Sequence, residues 1–206
     1  MVQLVLASSS KYRQQQLASL GIHTEAIAPH IDERAIPGEK PDALAARLAT
    51  EKASKISEAH PSAMVIGSDQ VAVVNDGGIT HVLGKPGTHD NALKQLQLCS
   101  GKTVDFYSAV SLCHKDSNKQ VTRVEITTVS FLTLSEKEIQ QYLLAETPYD
   151  CAGSFKSEGR GVLLFDNIRS RDPNALIGLP LMLLRDLLRE FGVNLLEIAC
   201  RDSQRV

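Results

Sequence analysis

The stretch Val2-Gln3-Leu4-Val5-Leu6-Ala7-Ser8-Ser9-Ser10-Lys11-Tyr12-Arg13 decides the class of fold. Val2 to Ala7 is a short apolar run with no basic region before it. It is expected to be a first strand and not a secretory leader. Three serines follow at once. From Lys11 to Leu20 the chain is helical in character, with Leu17 and Leu20 apolar and Gly21 placed just past the end. Strand, serine loop and helix in that order open an α/β protein. Hydroxyls and backbone N–H groups at a helix N-terminus favour an anion, because the dipole and the unpaired donors act together there. Arg13, in the first turn, can reach back to the same place. Serine is also a preferred N-cap, and the two readings are compatible.

Downstream, Thr24 to Ala28 reads as a second strand. A helix is expected from Pro41-Asp42 down to His60-Pro61, with Leu44, Leu48 and Ile56 as its apolar stripe and Lys52 and Lys55 near it. Ala63 to Val74 is apolar and β-branched but is interrupted by Gly67-Ser68-Asp69-Gln70. Asn75-Asp76-Gly77-Gly78 is a hairpin turn leading to a partner strand, Ile79 to Leu83. Gly84-Lys85-Pro86 precedes a helix from His89 to Cys99, capped by Thr88. Val104 to Cys113 and Val121 to Leu134 read as an antiparallel pair. Ser135 to Glu138 is a capping box opening a helix to Ala145. After the glycine-punctuated stretch Cys151 to Gly161 come a strand, Val162 to Ile168, and a final helix, Pro180 to Phe191. Leu179 to Leu188 suits a core helix or a dimer surface, the core reading being favoured. The tail after Glu197, through Arg201 to Arg205, reads as frayed.

A chain of 206 residues is one large domain or two small lobes. Folding can bury about 70% of the extended chain's surface at this size, so no disulfide or metal staple is required. Hydrophobic residues at 43% and charged residues at 22% exclude a disordered or fibrous chain. With 22 basic and 24 acidic residues the net charge is −2, which argues against binding a nucleic-acid polymer. No apolar run reaches the eighteen or so residues of a membrane span. Cys99, Cys113, Cys151 and Cys200 form no C-x-x-C pair and read as reduced thiols of a cytoplasmic protein. The six histidines show no metal-ligand spacing and read as surface residues.

Several residues could carry chemistry. Asp69 lies within an apolar strand, so its carboxylate either faces a cleft at a strand end or is buried and needs a partner, the plain alternative being a polar residue on an outward face. The Gly-Ser-Asp-Gln interruption favours a functional carboxylate over an outward-facing one. Asp32 and Glu33 sit in a charged loop, where solvation is the ordinary role of acidic residues. Lys52, Lys85 and Lys156 are each unremarked alone, Lys85 in a Gly-Lys-Pro turn and Lys156 in a glycine-bounded loop. Gly153, Gly159 and Gly161 most simply supply turns. Neither a Walker loop nor a G-x-G-x-x-G motif is present.

Taken together, these segments resemble the Maf family of nucleoside triphosphate pyrophosphatases. Leu6-Ala7-Ser8-Ser9-Ser10-Lys11-Tyr12-Arg13 is similar to that family's opening serine–arginine motif. Asp32-Glu33, Ala49-Thr50-Glu51-Lys52-Ala53, Gly67-Ser68-Asp69-Gln70, Gly84-Lys85-Pro86 and Ile177-Gly178-Leu179-Pro180-Leu181 resemble its later motifs, in order along nearly the whole chain. Gly67-Ser68-Asp69-Gln70, Cys151 to Gly159 and Arg171-Asp172-Pro173-Asn174 are similar to the branch acting on 7-methyl-GTP. The dTTP/UTP branch typically has threonine after the aspartate.

The resemblance implies an α/β, Maf/ITPase-like elongated bilobal fold, with a mixed twisted sheet flanked by helices and a central cleft, residues 1–206 forming a single Maf-type domain. It also implies a hydrolase of acid anhydrides that cuts a nucleotide between its α and β phosphates. The products are a monophosphate and diphosphate, and a divalent cation, Mg²⁺ or Mn²⁺, is the expected cofactor. Such a cut needs charge neutralisation, a positioned water and a base. By family analogy Asp69 is the proton acceptor, and Glu33 and Asp69 hold the metal. Ser8, Ser10, Arg13, Lys52, Lys85, Lys156 and Glu158 bind substrate, while Tyr12, Gln70 and Ser154 set specificity. N7-methylation makes guanine cationic, so an aromatic face such as Tyr12 attracts it more strongly than a neutral base.

The expected partner is a small-molecule nucleotide, with no nucleic-acid polymer and no membrane, and a homodimer is an open expectation. Two other readings remain at this point: a dTTP/UTP pyrophosphatase, and a nucleotide-binding regulator of cell division with little turnover. Against the regulator stands retention of Asp69, Glu33 and the lysines, because binding alone needs no base.

Overall fold

The computed structural model describes residues 2–201. Its elements run β1 (Leu4–Ala7), α1 (Lys11–Ala18), β2 (Glu25–Ala26), α2 (Pro41–Ser57), β3 (Met64–Asp76), β4 (Ile79–Leu83), α3 (His89–Cys99) and β5 (Thr103–His114). They continue with β6 (Lys119–Phe131), α4 (Glu136–Glu146), β7 (Phe165–Arg169), α5 (Leu181–Glu190) and α6 (Leu195–Arg201). The seven strands form one mixed sheet in the order β2-β1-β3-β5-β6-β7, with β4 paired to β3. The α/β class expected from the opening segment is therefore observed. The chain divides into two compact units, residues 2–69, 108–125 and 172–201 in the first and 70–107 and 126–171 in the second.

In the first unit β1 runs parallel to both β2 and β3, with Ala7 level with Gly67. Every residue of β1 is buried, because the sheet is covered on both faces. Leu4 and Leu6 join Met64, Ile66, Leu17, Leu179, Leu184 and Leu187 on one face. Val5 and Ala7 join Val65, Ala53 and Ile56 on the other. The two-residue period of a strand makes that division, and it places α1 and α5 on one side and α2 on the other. Leu181, Leu183, Leu184, Leu187 and Leu188 of α5 are all buried, so the core reading of Leu179–Leu188 holds.

The second unit holds the β3–β4 hairpin, whose Gly77-Gly78 turn has φ of +55° and +85° and pairs Asp76 with Ile79. Its interior includes an aromatic cluster of Phe106, Phe131, Phe155 and Phe165, with neighbouring rings 4.8–5.7 Å apart and edge to face. Thr88 caps α3 through the Asn91 N–H, and Ser135 with Glu138 makes the full capping box on α4, as the sequence predicts.

Four expectations are corrected. β3 is not interrupted at Gly67–Gln70: it runs unbroken from Met64 to Asp76, because the polar groups of Ser68 and Asp69 find partners while staying buried. The strand expected from Val162 begins only at Phe165. Residues 160–164 form a 3-10 turn, entered by a bend in which the N–H of Gly161 donates to the carbonyl of Lys156. The second strand shrinks to Glu25–Ala26. The last helix expected ends at Glu190, where Gly192 (φ +74°) turns the chain and the Val193 N–H bonds to Leu188. A further helix, α6, then follows, with the Asn194 side chain accepting from the Leu196 N–H. Arg201 thus lies in a helix; the rest of the tail, residues 202–206, lies outside the described residues.

Candidate active site

The site assembles at the carboxyl end of β1, where Ala7 lies level with Gly67 of the longer parallel strand β3, a place of the kind at which open α/β sheets bind ligands. Ser8 follows β1 directly and is buried. Its Oγ accepts from the Ser10 N–H at 3.1 Å and from an Arg13 NH1 donor at 3.4 Å. Ser10 caps α1 by accepting from the Arg13 N–H. Of the two compatible readings of the serine loop the structure shows the cap, made by Ser10, while Ser8 receives the guanidinium of Arg13 beside the same helix end.

Arg13 is fixed by backbone carbonyls. Its NH1 donates to the Ser68 carbonyl at 2.7 Å and its Nε to the Gly178 carbonyl at 2.9 Å. Burial pulls its guanidinium below the ordinary arginine value, while the negative charges of Asp69 and Glu33 act in the opposite sense. Ser68 Oγ also donates to the Gly178 carbonyl, at 3.1 Å.

Lys52 lies on the buried side of α2, between Ala49, Ala53 and Ile56, whereas Lys55 is exposed. Its Nζ stands 2.6 Å from Asp69 Oδ1 on β3 and 2.7 Å from Glu33 Oε1 in the loop before α2. Two carboxylates distant in sequence therefore converge on one cation. Gly67 makes the arrangement feasible: a Cβ there would lie 2.1 Å from the Ala49 carbonyl oxygen of α2. Asp32 plays a different part. Arg34 holds its carboxyl below the usual range through a hydrogen-bonded ion pair at the surface.

Glu33 and Asp69 suit a hard divalent cation, which takes oxygen donors and completes its shell with water and phosphate oxygens. Among the described residues no cluster of three or more His, Cys, Asp or Glu side chains is arranged for a metal ion. Arg13 and Lys52 offset the charges of Glu33 and Asp69 one for one. A polyphosphate would therefore meet a near-neutral set of side chains, and a divalent cation on the carboxylates would supply the missing positive charge.

The remaining expected residues fall as follows. Tyr12 is half-buried in the first turn of α1. Gln70, Lys85, Ser154, Lys156 and Glu158 belong to the second unit. Ser154 is fully buried with φ of +63°, a strained conformation for a residue with a Cβ, and its Oγ donates to Gln95 Oε1 at 2.6 Å. Gln95 also donates to the Gly84 carbonyl next to Lys85, so one amide ties the Gly-Lys-Pro turn to Ser154. Lys156 donates through Nζ to the Glu146 carbonyl and through its backbone N–H to Tyr142 Oη. Glu158 is exposed. The sequence reading missed Gln95, whose only trace there is a polar residue beside the apolar positions Ala92, Leu96 and Cys99. It also passed over the carbonyl of Gly178, which no side-chain pattern announces.

A family model described as "Maf-like protein" matches residues 3–191. The chain is 49% identical to a protein of Nitrosococcus oceani over 92% of this chain and 93% of that one. It is 50% identical to one of Xanthomonas axonopodis pv. citri over 93% and 98% of the two chains, and 46% identical to one of Idiomarina loihiensis over 93% and 96%. Each of the three is named 7-methyl-GTP pyrophosphatase.

Proposed function

The chain belongs to the Maf family, and on that premise we propose that it hydrolyses 7-methyl-GTP between the α and β phosphates, releasing 7-methyl-GMP and diphosphate. One observation carries the reading: Lys52 draws Asp69 and Glu33 onto a single cation, in the same unit as Arg13 and the capped N-terminus of α1. The relatives' shared name supports the substrate.

In this reading Arg13, Lys52 and the hydroxyls of Ser8 and Ser10 bind the phosphates and orient the chain for in-line attack. Asp69 takes a proton from the attacking water as its oxygen bonds to the α-phosphorus. The bond to the bridging oxygen breaks, and that oxygen leaves with diphosphate. Glu33 and Asp69 would hold Mg²⁺ or Mn²⁺, which when bound offsets charge developing on the phosphate oxygens. Tyr12 presents an aromatic face to the cationic 7-methylguanine. The roles that the resemblance gives to Gln70, Lys85, Ser154, Lys156 and Glu158 are tested one residue at a time in the same assay.

We place the enzyme in the cytoplasm, a reading supported by cysteines that are all free thiols. No helix among the described residues is long and apolar enough to cross a membrane. The test is release of diphosphate from 7-methyl-GTP, dTTP, UTP, GTP and ATP in the presence of Mg²⁺ or Mn²⁺. The proposal expects 7-methyl-GTP to give the highest kcat/KM. A preference for dTTP or UTP would move the chain to the other branch, and absence of turnover on all five would leave a binding protein.

A further inference from the structure

We propose that Asp172 is a positioning residue for the phosphate site, acting through the Gly178 carbonyl on the guanidinium of Arg13. The inference rests on the reading of that site given above.

Asp172 is a fully buried carboxylate. Its Oδ1 accepts from the backbone N–H of Asn174 at 2.9 Å and from the Asn174 side chain at 3.0 Å. Its Oδ2 accepts from the Met182 N–H at 2.6 Å. Met182 is the second residue of α5, and Pro180, which precedes that helix, provides no side-chain cap. Asp172 thus satisfies one of the otherwise unpaired donors at the helix start and lies at the favourable end of its dipole. A single side chain closes both ends of the segment between residues 172 and 182.

Between those ends, four backbone carbonyls of the segment accept from side chains outside it. Gln16 of α1 donates through Nε2 to the Asn174 and Leu179 carbonyls at 2.9 and 3.1 Å, and Ser108 Oγ donates to the Ala175 carbonyl at 2.9 Å. Gln16 Oε1 is buried with no hydrogen-bond partner, so its amide sacrifices one acceptor to hold this segment with both donors. Gly178, with φ of +130°, turns its carbonyl toward Arg13 Nε and Ser68 Oγ. Arg13 then has its Nε set by the segment and its NH1 set by Ser8 and Ser68, which fixes the plane of the guanidinium. A planar fork gains its advantage over a point charge only when that plane is held. Replacing Asp172 by Asn turns one acceptor into an NH₂ group that opposes either Met182 N–H or the Asn174 donors. The segment must then shift, and the Gly178 carbonyl shifts with it.

A cap that served α5 alone would cost stability without regard to Arg13, so a double-mutant cycle separates the two roles. Diphosphate affinity by calorimetry and Tm are measured on the full chain for wild type, Asp172→Asn, Arg13→Lys and the double variant. Arg13→Lys keeps the charge but has no Nε to receive orientation. Asp172→Asn is expected to weaken diphosphate binding about tenfold in the wild-type background, the weight of one displaced charged hydrogen bond. In the Arg13→Lys background the loss falls below about twofold, while the drop in Tm is the same in both. Gln16→Leu, which frees the Asn174 and Leu179 carbonyls but leaves Asp172 intact, is expected to repeat the pattern and carries the cycle if Asp172→Asn does not fold. Equal losses of affinity in the two Arg13 backgrounds overturn the inference alone. A folded wild type that binds neither diphosphate nor 7-methyl-GTP overturns the reading of the site and the inference with it.

Discussion

The ammonium of Lys52 lies 2.6 Å from Oδ1 of Asp69, and both side chains are nearly withdrawn from solvent. A lysine on a helix and an aspartate on a strand, seventeen residues apart, meet because α2 crosses β3 at Gly67, where no side chain separates the two backbones. The same ammonium also holds Glu33, which is largely exposed. Chemistry and packing are thus joined at one contact, and they can be perturbed separately.

Asp69→Asn keeps the shape of the side chain and removes its capacity to take a proton. It is expected to reduce kcat for 7-methyl-GTP by at least about a hundredfold, the usual contribution of a general base, with a smaller effect on KM. Lys52→Met leaves two carboxylates without their shared cation. It is expected to lower stability by about 2–3 kcal/mol in chemical denaturation as well as to abolish turnover. Undiminished diphosphate release by Asp69→Asn would remove that residue from the role of base.

Gly67→Ala tests the packing half of the contact. The added methyl would sit 2.1 Å from the Ala49 carbonyl oxygen and 2.7 Å from the Ala53 nitrogen, both backbone atoms of α2. No rotamer relieves such an overlap, so the helix must move outward and take Lys52 with it. A loss of about 3 kcal/mol or more is expected in urea unfolding, together with lower kcat/KM in whatever protein remains folded. A variant of native stability would show that the approach of α2 to β3 is looser than this.

Tyr12→Ala addresses recognition of the base. If the ring faces 7-methylguanine, the ratio of kcat/KM for 7-methyl-GTP over GTP should fall by about three- to thirtyfold, the range of one cation–π contact. Tyr12→Phe should retain most of the preference, because the attraction resides in the ring face. An unchanged ratio in Tyr12→Ala assigns the selectivity elsewhere.

Much of this was legible in the sequence. Val2–Ala7 followed by serines announces a strand feeding a helix, and the capping residues Thr88 and Ser135 mark their helices correctly. Within the first unit, Glu33, Lys52 and Asp69 do converge. The errors have physical causes. The polar residues at 68 and 69 read as a break in β3 because their buried partners, Gly178 and Lys52, come from elsewhere in the chain. The short helix α6 was missed because its cap, Asn194, follows Gly192 so closely that both read as part of one chain end. Gly178 and Asp172 stand in motifs that the resemblance rests on, but their roles, like that of Gln95, lie in hydrogen bonds that involve the main chain, and such bonds leave no periodicity behind.

A last prediction concerns how Glu33 is held at all, since it lies in a loop with no regular structure of its own. Arg47 of α2 clamps that loop: its Nε and NH2 lie 2.7 and 2.8 Å from the Glu39 carboxylate, and NH2 also donates to the Arg34 carbonyl. The Arg47 hydrogen bonds, helped by the Ile36 N–H, hold the Glu39 carboxyl down from 4.5 to about 2. A depressed carboxylate contributes stability above its unfolded value and loses it as pH falls through its folded value. The contribution should therefore be complete above about pH 5 and vanish on approach to pH 2. Glu39→Gln should flatten that part of the profile of Tm against pH, measured from pH 2 to 7, and lower Tm at neutral pH. Because the loop carries Glu33, the same variant should also raise KM for the nucleotide at pH 7. Parallel acid limbs in wild type and Glu39→Gln would mean that Glu39 is not the group whose protonation releases the loop.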